Sequence, residues 1–236
     1  MTDHTLTLHA ISSMATQLLL ADLSKRYTAQ TGVRVNIESV GGVDAAKRIQ
    51  AGEAFDAVLL AAEAIDQLIA SGHVLAGSRC DWVNSCVAVA VRADAPAPRI
   101  GTEQELLAAV LSATTLSYST GPSGKYLQSL FQRWGIADTL QARTVIPPPG
   151  TPVARLLAQG KAELGFQQRS ELIHQDGIQL IGDLPQEVAY VTTFSAGIGL
   201  AGASDATRKQ AVQDFFDFLA APEQQDAKRA HGMLSL

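Results

Sequence analysis

A chain of 236 residues with a formal net charge of −5 is long enough for one large domain or two small ones. Its residues are 47% hydrophobic and contain no block of like charges, a composition that argues against intrinsic disorder and against nucleic-acid binding. No basic amphipathic stretch indicates insertion into a membrane surface. The composition is typical of an α/β protein, in which a bound anion would have to be held by local hydrogen-bond donors.

The N-terminal residues lead directly into an alternating strand, without the cationic and apolar regions of a signal peptide. We therefore expect a cytoplasmic protein, or a periplasmic one if a leader has been removed. Cys80 and Cys86 have no metal-ligand spacing with histidine. We interpret them as core residues, although a disulfide between them stays open at this point.

The first third of the chain repeats a unit of strand, turn and helix three times. Each predicted helix ends at a glycine, and the third strand is an almost unbroken apolar run of the kind found in sheets covered on both faces. The predicted strands are 5–9, 33–37 and 55–61, and the predicted helices are 14–30, 44–50 and 63–70. Successive units of this kind predict a parallel sheet with right-handed crossovers.

Two long strands, at 84–92 and 190–200, bracket the middle of the chain. Between them the periodicity predicts strands at 115–118, 143–146, 163–168 and 178–181, and helices at 103–111, 126–134 and 153–159. Two helices, 205–220 and 222–231, follow the second long strand. The simplest topology places residues 1–83 and 196–236 in a first lobe and residues 84–195 in a second lobe, with the last two helices on the first lobe.

The stretch 116–136 is the most informative part of the chain, because a short strand leads through a polar turn into an amphipathic helix. The turn brings Ser119, Ser123, Gly124 and several backbone N–H groups to a helix N-terminus. Unsatisfied donors and the positive end of the helix dipole converge there, so the turn can receive a small anion. The alternative is an ordinary helix that is capped by serine.

Comparable turns begin other predicted helices. They lie at Ser12 and Ser13, at Gly41, Gly42 and Val43, and at Thr151, where Thr would be the N-cap and Pro152 the first helical residue. Ligands of open α/β sheets bind at the carboxyl ends of the strands, so two lobes joined by two strands would form a cleft into which these turns point. Four such turns favour an anion site over capping alone.

The order of several short motifs resembles the class II periplasmic solute-binding proteins, and within them the molybdate-binding branch. The motifs span nearly the whole chain and are 10–14, 47–52, 55–60, 122–127, 163–166 and 231–233. The resemblance implies a two-lobed α/β fold in which each lobe is a mainly parallel sheet flanked by helices and two crossover strands join the lobes. It also implies that hydroxyls and backbone N–H groups bind an oxyanion at Ser13, 41–43, Ser123, Val153 and Gln168.

Three features depart from the molybdate binders. The second turn, Gly41 to Asp44, has no hydroxyl and adds a carboxylate, and Gln168 stands where that branch commonly has tyrosine. The stretches 118–127 and 164–172 are more similar to the aconitate isomerases, enzymes of the same fold that shift a double bond in a tricarboxylate. The amide groups of Gln167 and Gln168 suit a carboxylate ligand, because they donate to planar acceptors.

The predicted ligand-binding residues share a position at or near the carboxyl end of a strand. They are Ser12, Ser13, Gly41, Gly42, Val43, Ser119, Ser123, Gly124, Lys125, Thr151, Val153, Gln167 and Gln168. Lys125 could pair with a carboxylate or be solvated. No metal or cofactor is predicted, since the chain lacks a metal-ligand cluster, a dinucleotide fingerprint and a serine-hydrolase elbow.

Four residues could act as a general base, each with a structural alternative. His9 and His174 could instead be hydrogen-bonded structural histidines, and Asp44 and Glu171 could be helix caps or surface charges. No catalytic residue is assigned from the sequence.

Two classes of function stay open for a chain that binds a di- or tricarboxylate or a tetrahedral oxyanion. A solute-binding protein would close its lobes over the anion and, if exported, deliver it to an ABC permease. An enzyme of the aconitate isomerase type would use the same closure to exclude water around a proton transfer. A cytoplasmic sensor is a third possibility.

Overall fold

The computed structural model describes residues 6–148 and 150–236. Among these residues the strands are β1 (Thr7–Ser13), β2 (Arg34–Val40), β3 (Ala57–Ala61), β4 (Cys80–Arg92), β5 (Leu116–Tyr118), β6 (Leu164–Gln168), β7 (Ile178–Asp183) and β8 (Val191–Ile198). The α-helices are α1 (Gln17–Thr31), α2 (Gly42–Gln50), α3 (Ala62–Ala70), α4 (Glu103–Ser112), α5 (Pro122–Arg133), α6 (Ala137–Gln141), α7 (Val153–Ala158), α8 (Arg169–Leu172), α9 (Ala206–Ala220) and α10 (Gln225–Ala230). The predicted start of the first strand at Thr5 lies outside the described residues.

The chain divides into two compact units. The first runs to Asn84 and resumes over Thr193–Leu236, and the second is Ser85–Thr192. Each boundary therefore falls inside a long strand, β4 or β8.

The sheet of the first unit has the strand order β2-β1-β3-β8. The pairs β1–β2 and β1–β3 are parallel and β3–β8 is antiparallel, as expected where helices α1 and α2 provide the crossovers. All five residues of β3 are buried. Leu59 packs into the core formed with α1 and α9, whereas Val58 and Leu60 pack on the opposite face with α2 and α3. Coverage on both faces explains the apolar run in the sequence.

Helices α9 and α10 also lie on the first unit. Asp205 is the N-cap of α9, and its carboxylate accepts a hydrogen bond from the Arg208 N–H at 2.8 Å. The ring of Tyr27, from α1, lies 5.1 Å from the rings of both Phe215 and Phe218. These aromatic contacts hold α9 against the first βα unit.

The sheet of the second unit is mixed. Strands β5 and β6 pair in parallel, whereas β4 is antiparallel to both β6 and β7. Helices α4 and α5 share one buried core with β5 and β6, and α7 packs over the other face of β6. The parallel pair places the carboxyl ends of β5 and β6 at the same edge, where the predicted ligand residues of this unit lie.

Two local predictions need correction. Residues 143–146 do not form a strand, because only Thr144 makes an isolated bridge to Leu116. Pro147 and Pro148 follow directly, and prolines have no N–H with which to extend a ladder. Helix α7 begins at Val153 with Pro152 as its N-cap, so Thr151 is not the capping residue.

Cys80 and Cys86 are free and half-buried, so the disulfide alternative is wrong. Burial is the main cause that raises the pKa of both thiols. Within the described parts of the chain, none of the helices combines the length and apolar character needed to cross a membrane.

Candidate functional site

Ser13 is the last residue of β1 and enters a short 3₁₀ turn that precedes α1. The residue is 7% exposed, and its Oγ is buried without a hydrogen-bond partner. Gly42, the first residue of α2, lies beside it, because a Cβ added to Gly42 would be 3.7 Å from the Ser13 Cβ. An unpaired buried hydroxyl costs about 1–3 kcal/mol. Ser13 and the start of α2 therefore form a donor site of the kind that a bound anion would satisfy.

The other predicted residues of the first unit have structural roles or are exposed. The hydroxyl of Ser12 is buried and lies 2.7 Å from that of Ser39, so it joins β1 to β2. Gly41 is the N-cap of α2, and its carbonyl accepts from the Ala45 N–H at 2.9 Å. Val43 is 40% exposed. The N-terminus of α2 thus offers backbone donors and, as expected from the sequence, no hydroxyl.

The central turn of the second unit links β5 to α5. The hydroxyls of Ser119 and Ser123 are 2.9 Å apart, and Ser123 is 1% exposed. Gly121 is the N-cap of α5, and no side chain caps this helix. The alternative reading of Ser123 as an ordinary N-cap is therefore wrong. The paired hydroxyls lie at the N-terminus of a twelve-residue helix, where its dipole favours negative charge.

Gly124 fixes the shape of this turn. A Cβ at this position would lie 1.6 Å from the carbonyl oxygen of Ser119, which is possible only without a side chain. The first turn of α5 therefore packs directly on the backbone that follows β5. Lys125, the next residue, is exposed.

Gln167, in β6, joins two further parts of the second unit. Its Oε1 accepts from the Val153 N–H of α7 at 2.9 Å, and its Nε2 donates to Oε1 of Glu171 at 2.7 Å. Val153 and Gln167 are both buried. The backbone donor that we predicted for an anion is thus bound to a side chain of the protein itself. Thr151 is half-buried, and its N–H donates to the carbonyl of Pro148 at 3.0 Å.

Glu171 lies on α8, the short helix that directly follows β6. Burial raises the pKa of its carboxyl to about 7, and the hydrogen bond from Gln167 opposes this rise only in part. A carboxyl group with such a pKa exchanges a proton near neutral pH, which is the property required of a general acid or base.

Gln168, the last residue of β6, is 3% exposed. Its Nε2 donates to the hydroxyl of Thr192 at 2.7 Å, and its Oε1 is buried without a partner. A threonine hydroxyl both donates and accepts, so the amide keeps this bond when its oxygen and nitrogen exchange places. In the exchanged orientation the buried NH₂ group is the unpaired one and can donate to an anion.

These residues meet at one edge of the second unit. Tyr118 is opposite Phe166 in the parallel pair β5–β6. Ser119 and Gln167 each follow one of these residues, so they lie side by side at the ends of the paired segments. Neighbouring strands lie about 4.8 Å apart. Thr192, whose hydroxyl binds the amide of Gln168, was not predicted to belong to the site. The two threonines at the start of β8 are the sequence feature that could have indicated it.

The other candidate bases have less suitable surroundings. Asp44 is exposed in the first turn of α2. His9 is exposed, and its backbone N–H donates to the buried carboxylate of Asp56 at 2.8 Å. His174 is exposed and has a positive φ of 66°. Over residues 6–148 and 150–236 no three His, Cys, Asp or Glu side chains are grouped as metal ligands would be.

Three known proteins resemble this chain closely enough to be informative. An aconitate isomerase of a Pseudomonas species is 31% identical over 233 residues, which cover 96% of this chain and 87% of that protein. The periplasmic molybdate-binding protein of Azotobacter vinelandii has a TM-score of 0.78 at 21% identity, covering 97% of this chain and 99% of its own. The sulfate-binding protein of Mycobacterium tuberculosis has a TM-score of 0.77 at 16% identity, covering 97% and 86% respectively.

The two solved structures confirm the predicted fold class, an α/β fold of the periplasmic-binding-protein type. The sequence model of a family described as bacterial extracellular solute-binding protein matches residues 8–234. This match covers almost the whole chain, and the chain therefore belongs to the family of bacterial extracellular solute-binding proteins.

Proposed function

We propose that this chain binds a small carboxylate anion at the donor-bearing turns that follow its strands. The observation that carries the proposal is the pair of buried, unpartnered polar atoms on Ser13 and Gln168, two residues predicted to bind a ligand. Buried polar groups are nearly always hydrogen-bonded, so an unpaired one at a predicted site is available to a bound anion. An anion that accepted from Ser13, or from the Gln168 amide in its exchanged orientation, would remove a cost of about 1–3 kcal/mol at that residue.

A carboxylate explains the residue types better than a tetrahedral oxyanion does. The second turn of the first unit has no hydroxyl, and β6 ends in two glutamines. Amide NH₂ groups donate to planar carboxylate oxygens. The relative with 31% identity is named for aconitate, a tricarboxylate, whereas the molybdate- and sulfate-binding proteins are more distant in sequence and support only the fold.

The site can hold negative charge without a dedicated cation. In the second unit, the N-terminus of α5 presents backbone N–H groups and the positive end of a helix dipole, and in the first unit the N-terminus of α2 does the same. Hydrogen bonds to a charged acceptor are worth about 1.5–3 kcal/mol each. Several such bonds can replace one arginine. Joint binding by both units and closure of the lobes over the ligand stay predictions from the sequence, as does a permease partner for an exported form.

The ligand class is tested by a thermal-shift screen. Citrate or aconitate is expected to raise the unfolding midpoint more than molybdate or sulfate at the same concentration. A ligand at 100 times its Kd stabilises by about 2.7 kcal/mol, so a preferred ligand gives a clear shift. The reverse ranking would indicate an oxyanion carrier instead, and no shift with any of these anions would sink the proposal.

Ser123→Ala is expected to weaken tricarboxylate binding by roughly tenfold, because one lost charge-assisted bond costs about 1.4 kcal/mol or more. The free energy of unfolding without ligand should fall by no more than about 1 kcal/mol, the worth of the hydroxyl bond to Ser119. Calorimetric titration and urea denaturation measure the two quantities. Ser129→Ala, on the exposed side of the same helix, is the matched control. Unchanged affinity in the Ser123 variant would remove the central turn from the site.

A second candidate function is isomerisation of the bound tricarboxylate by a proton shift. Two observations favour it: the named activity of the 31% identical relative and a carboxyl group, Glu171, that titrates near neutral pH at the edge of the second unit. Conversion of trans-aconitate to cis-aconitate by the purified protein, followed by NMR, tests this candidate separately from binding.

A further inference from the structure

The carboxyl group of Glu171 is held in place by a short chain of hydrogen bonds. The Val153 N–H donates to Gln167, and the amide of Gln167 donates to Glu171 at 2.7 Å. Both oxygen and nitrogen of the Gln167 amide are thereby used, so the amide cannot rotate without breaking a buried bond. Glu171 consequently has a fixed position next to the carboxyl ends of β5 and β6, where the central turn also lies.

Glu171 also differs from the other carboxyl groups in its electrostatic surroundings. Among the described Asp and Glu residues whose pKa departs from its ordinary value, Glu171 is the one whose pKa is raised. The others have a lowered pKa, and each forms an ion pair with an arginine: Asp22, Glu38, Glu53, Asp81 and Glu103. Glu171 has an amide partner instead, which orients the carboxyl without fixing it in the charged state.

An amide partner and partial enclosure are unusual for a glutamate that serves only stability. Glu171 is half-buried, and the group that donates to its carboxyl is an amide rather than a positively charged side chain. Its partial burial favours the protonated form at a cost to the folded state. Such costs persist where function requires a particular proton affinity. Part of Glu171 still reaches solvent, so a ligand can approach it.

We propose that Glu171 is the catalytic residue that removes and returns the proton in a tricarboxylate isomerisation, and that Gln167 positions its carboxyl. The inference rests on the proposed binding of a tricarboxylate at this edge. It gives a function to the hydrogen bonds that link Val153, Gln167 and Glu171. Anion binding alone does not require these bonds.

The reaction needs no oxidant, reductant or cofactor. The ionised carboxyl of Glu171 takes a proton from the methylene carbon next to the double bond. The C–H electron pair forms a new double bond to the central carbon, and the electrons of the old double bond move onto the adjacent carboxylate as an extended enolate. Protonated Glu171 then gives its proton to the former vinyl carbon. The double bond has moved by one position, and Glu171 is again ionised.

The test uses the full-length wild type, Glu171→Gln and the matched control Glu187→Gln, which removes an exposed carboxylate of the same unit. Each protein is incubated with trans-aconitate in D₂O, and NMR follows both cis-aconitate and deuterium at the methylene carbon. In parallel, thermal shift measures whether trans-aconitate stabilises each protein. Wild type and Glu187→Gln are expected to convert the ligand at similar rates. Glu171→Gln should be slower by at least about 100-fold, the usual contribution of a general acid–base group, while trans-aconitate still stabilises it.

The wild-type rate should also rise with pH through about 7, where the carboxyl ionises to the base form. Conversion by Glu171→Gln at the wild-type rate would overturn the assignment, as would a wild type that binds trans-aconitate but neither isomerises it nor exchanges its methylene protons. Binding would survive in both cases. A wild type that no tricarboxylate stabilises would instead overturn the proposed function, and the assignment of Glu171 with it.

Discussion

Glu171→Gln is expected to stabilise the folded protein at about pH 8 and to change its stability much less at about pH 5. In the wild type, burial raises the pKa of Glu171 from its ordinary value of 4.5 to about 7. The folded state therefore binds this proton more tightly than the unfolded state does, and wild-type stability falls as the pH rises from 4.5 through 7. Above pH 7, a shift of this size lowers the free energy of unfolding by at most roughly 3 kcal/mol, because Glu171 is only half-buried. Glutamine carries no charge to bury, so the variant avoids this loss.

Urea denaturation of both proteins at the two pH values measures the effect. Glu187→Gln removes a carboxylate from an exposed position and should show the same difference from wild type at both pH values. If the Glu171 variant showed a difference from wild type that did not depend on pH, the carboxyl would not titrate as its burial indicates.

The fold could be predicted from the sequence because its strongest signals are local. The apolar run at β3 predicts a strand covered on both faces, and both faces are indeed covered. The glycines after α1 and α3 adopt φ values of 76° and 75°, as helix-ending glycines do. The spacing of apolar residues that distinguishes a strand from a helix involves only residues close together in the sequence. Strands and helices can therefore be predicted before any tertiary contact is known.

Two of the shortest helices were not predicted, because a helix of one turn shows too little of the helical period to be recognised in the sequence. Helix α8 has four residues and α6 has five. Helix α8 nevertheless carries Glu171. The predicted strand at 143–146 is wrong although its local pattern suits a strand. In the fold only Thr144 pairs with a neighbouring strand, through one bridge to Leu116.

For the candidate site, the sequence predicts residue types but not the partners of those residues. Val153 was expected to offer its N–H to an anion, yet that N–H is bound to a side chain fourteen residues away, Gln167. Gln168 was expected at the site, but its partner Thr192 lies on another strand. Glu171 was one of four possible bases, and only its enclosure beside α7 and β6 distinguishes it from the others. Such pairings depend on how the strands and helices assemble, which no local pattern contains.

Gly124→Ala is expected to be severely destabilising, with a loss of at least about 3 kcal/mol in the free energy of unfolding, since overpacking costs about 1–3 kcal/mol even where side chains can adjust. At Gly124 the clashing atoms belong to the backbone, which cannot move aside as a side chain can. The new Cβ would lie 1.6 Å from the Ser119 carbonyl oxygen and 2.8 Å from its carbon. Relief requires that the turn after β5 move away from the first turn of α5, which would also separate the hydroxyls of Ser119 and Ser123.

The matched control is Gly121→Ala, three residues earlier in the same turn. A Cβ there would meet only the Ser119 Oγ, at 3.9 Å, and the backbone φ of −78° suits alanine. This N-cap substitution should change the free energy of unfolding by less than about 1 kcal/mol. Urea denaturation compares the two variants, and titration with a tricarboxylate should show that only Gly124→Ala loses most of its affinity. Equal stability of the two variants would mean that Ser119 and α5 are not in the close contact from which the donor site is built.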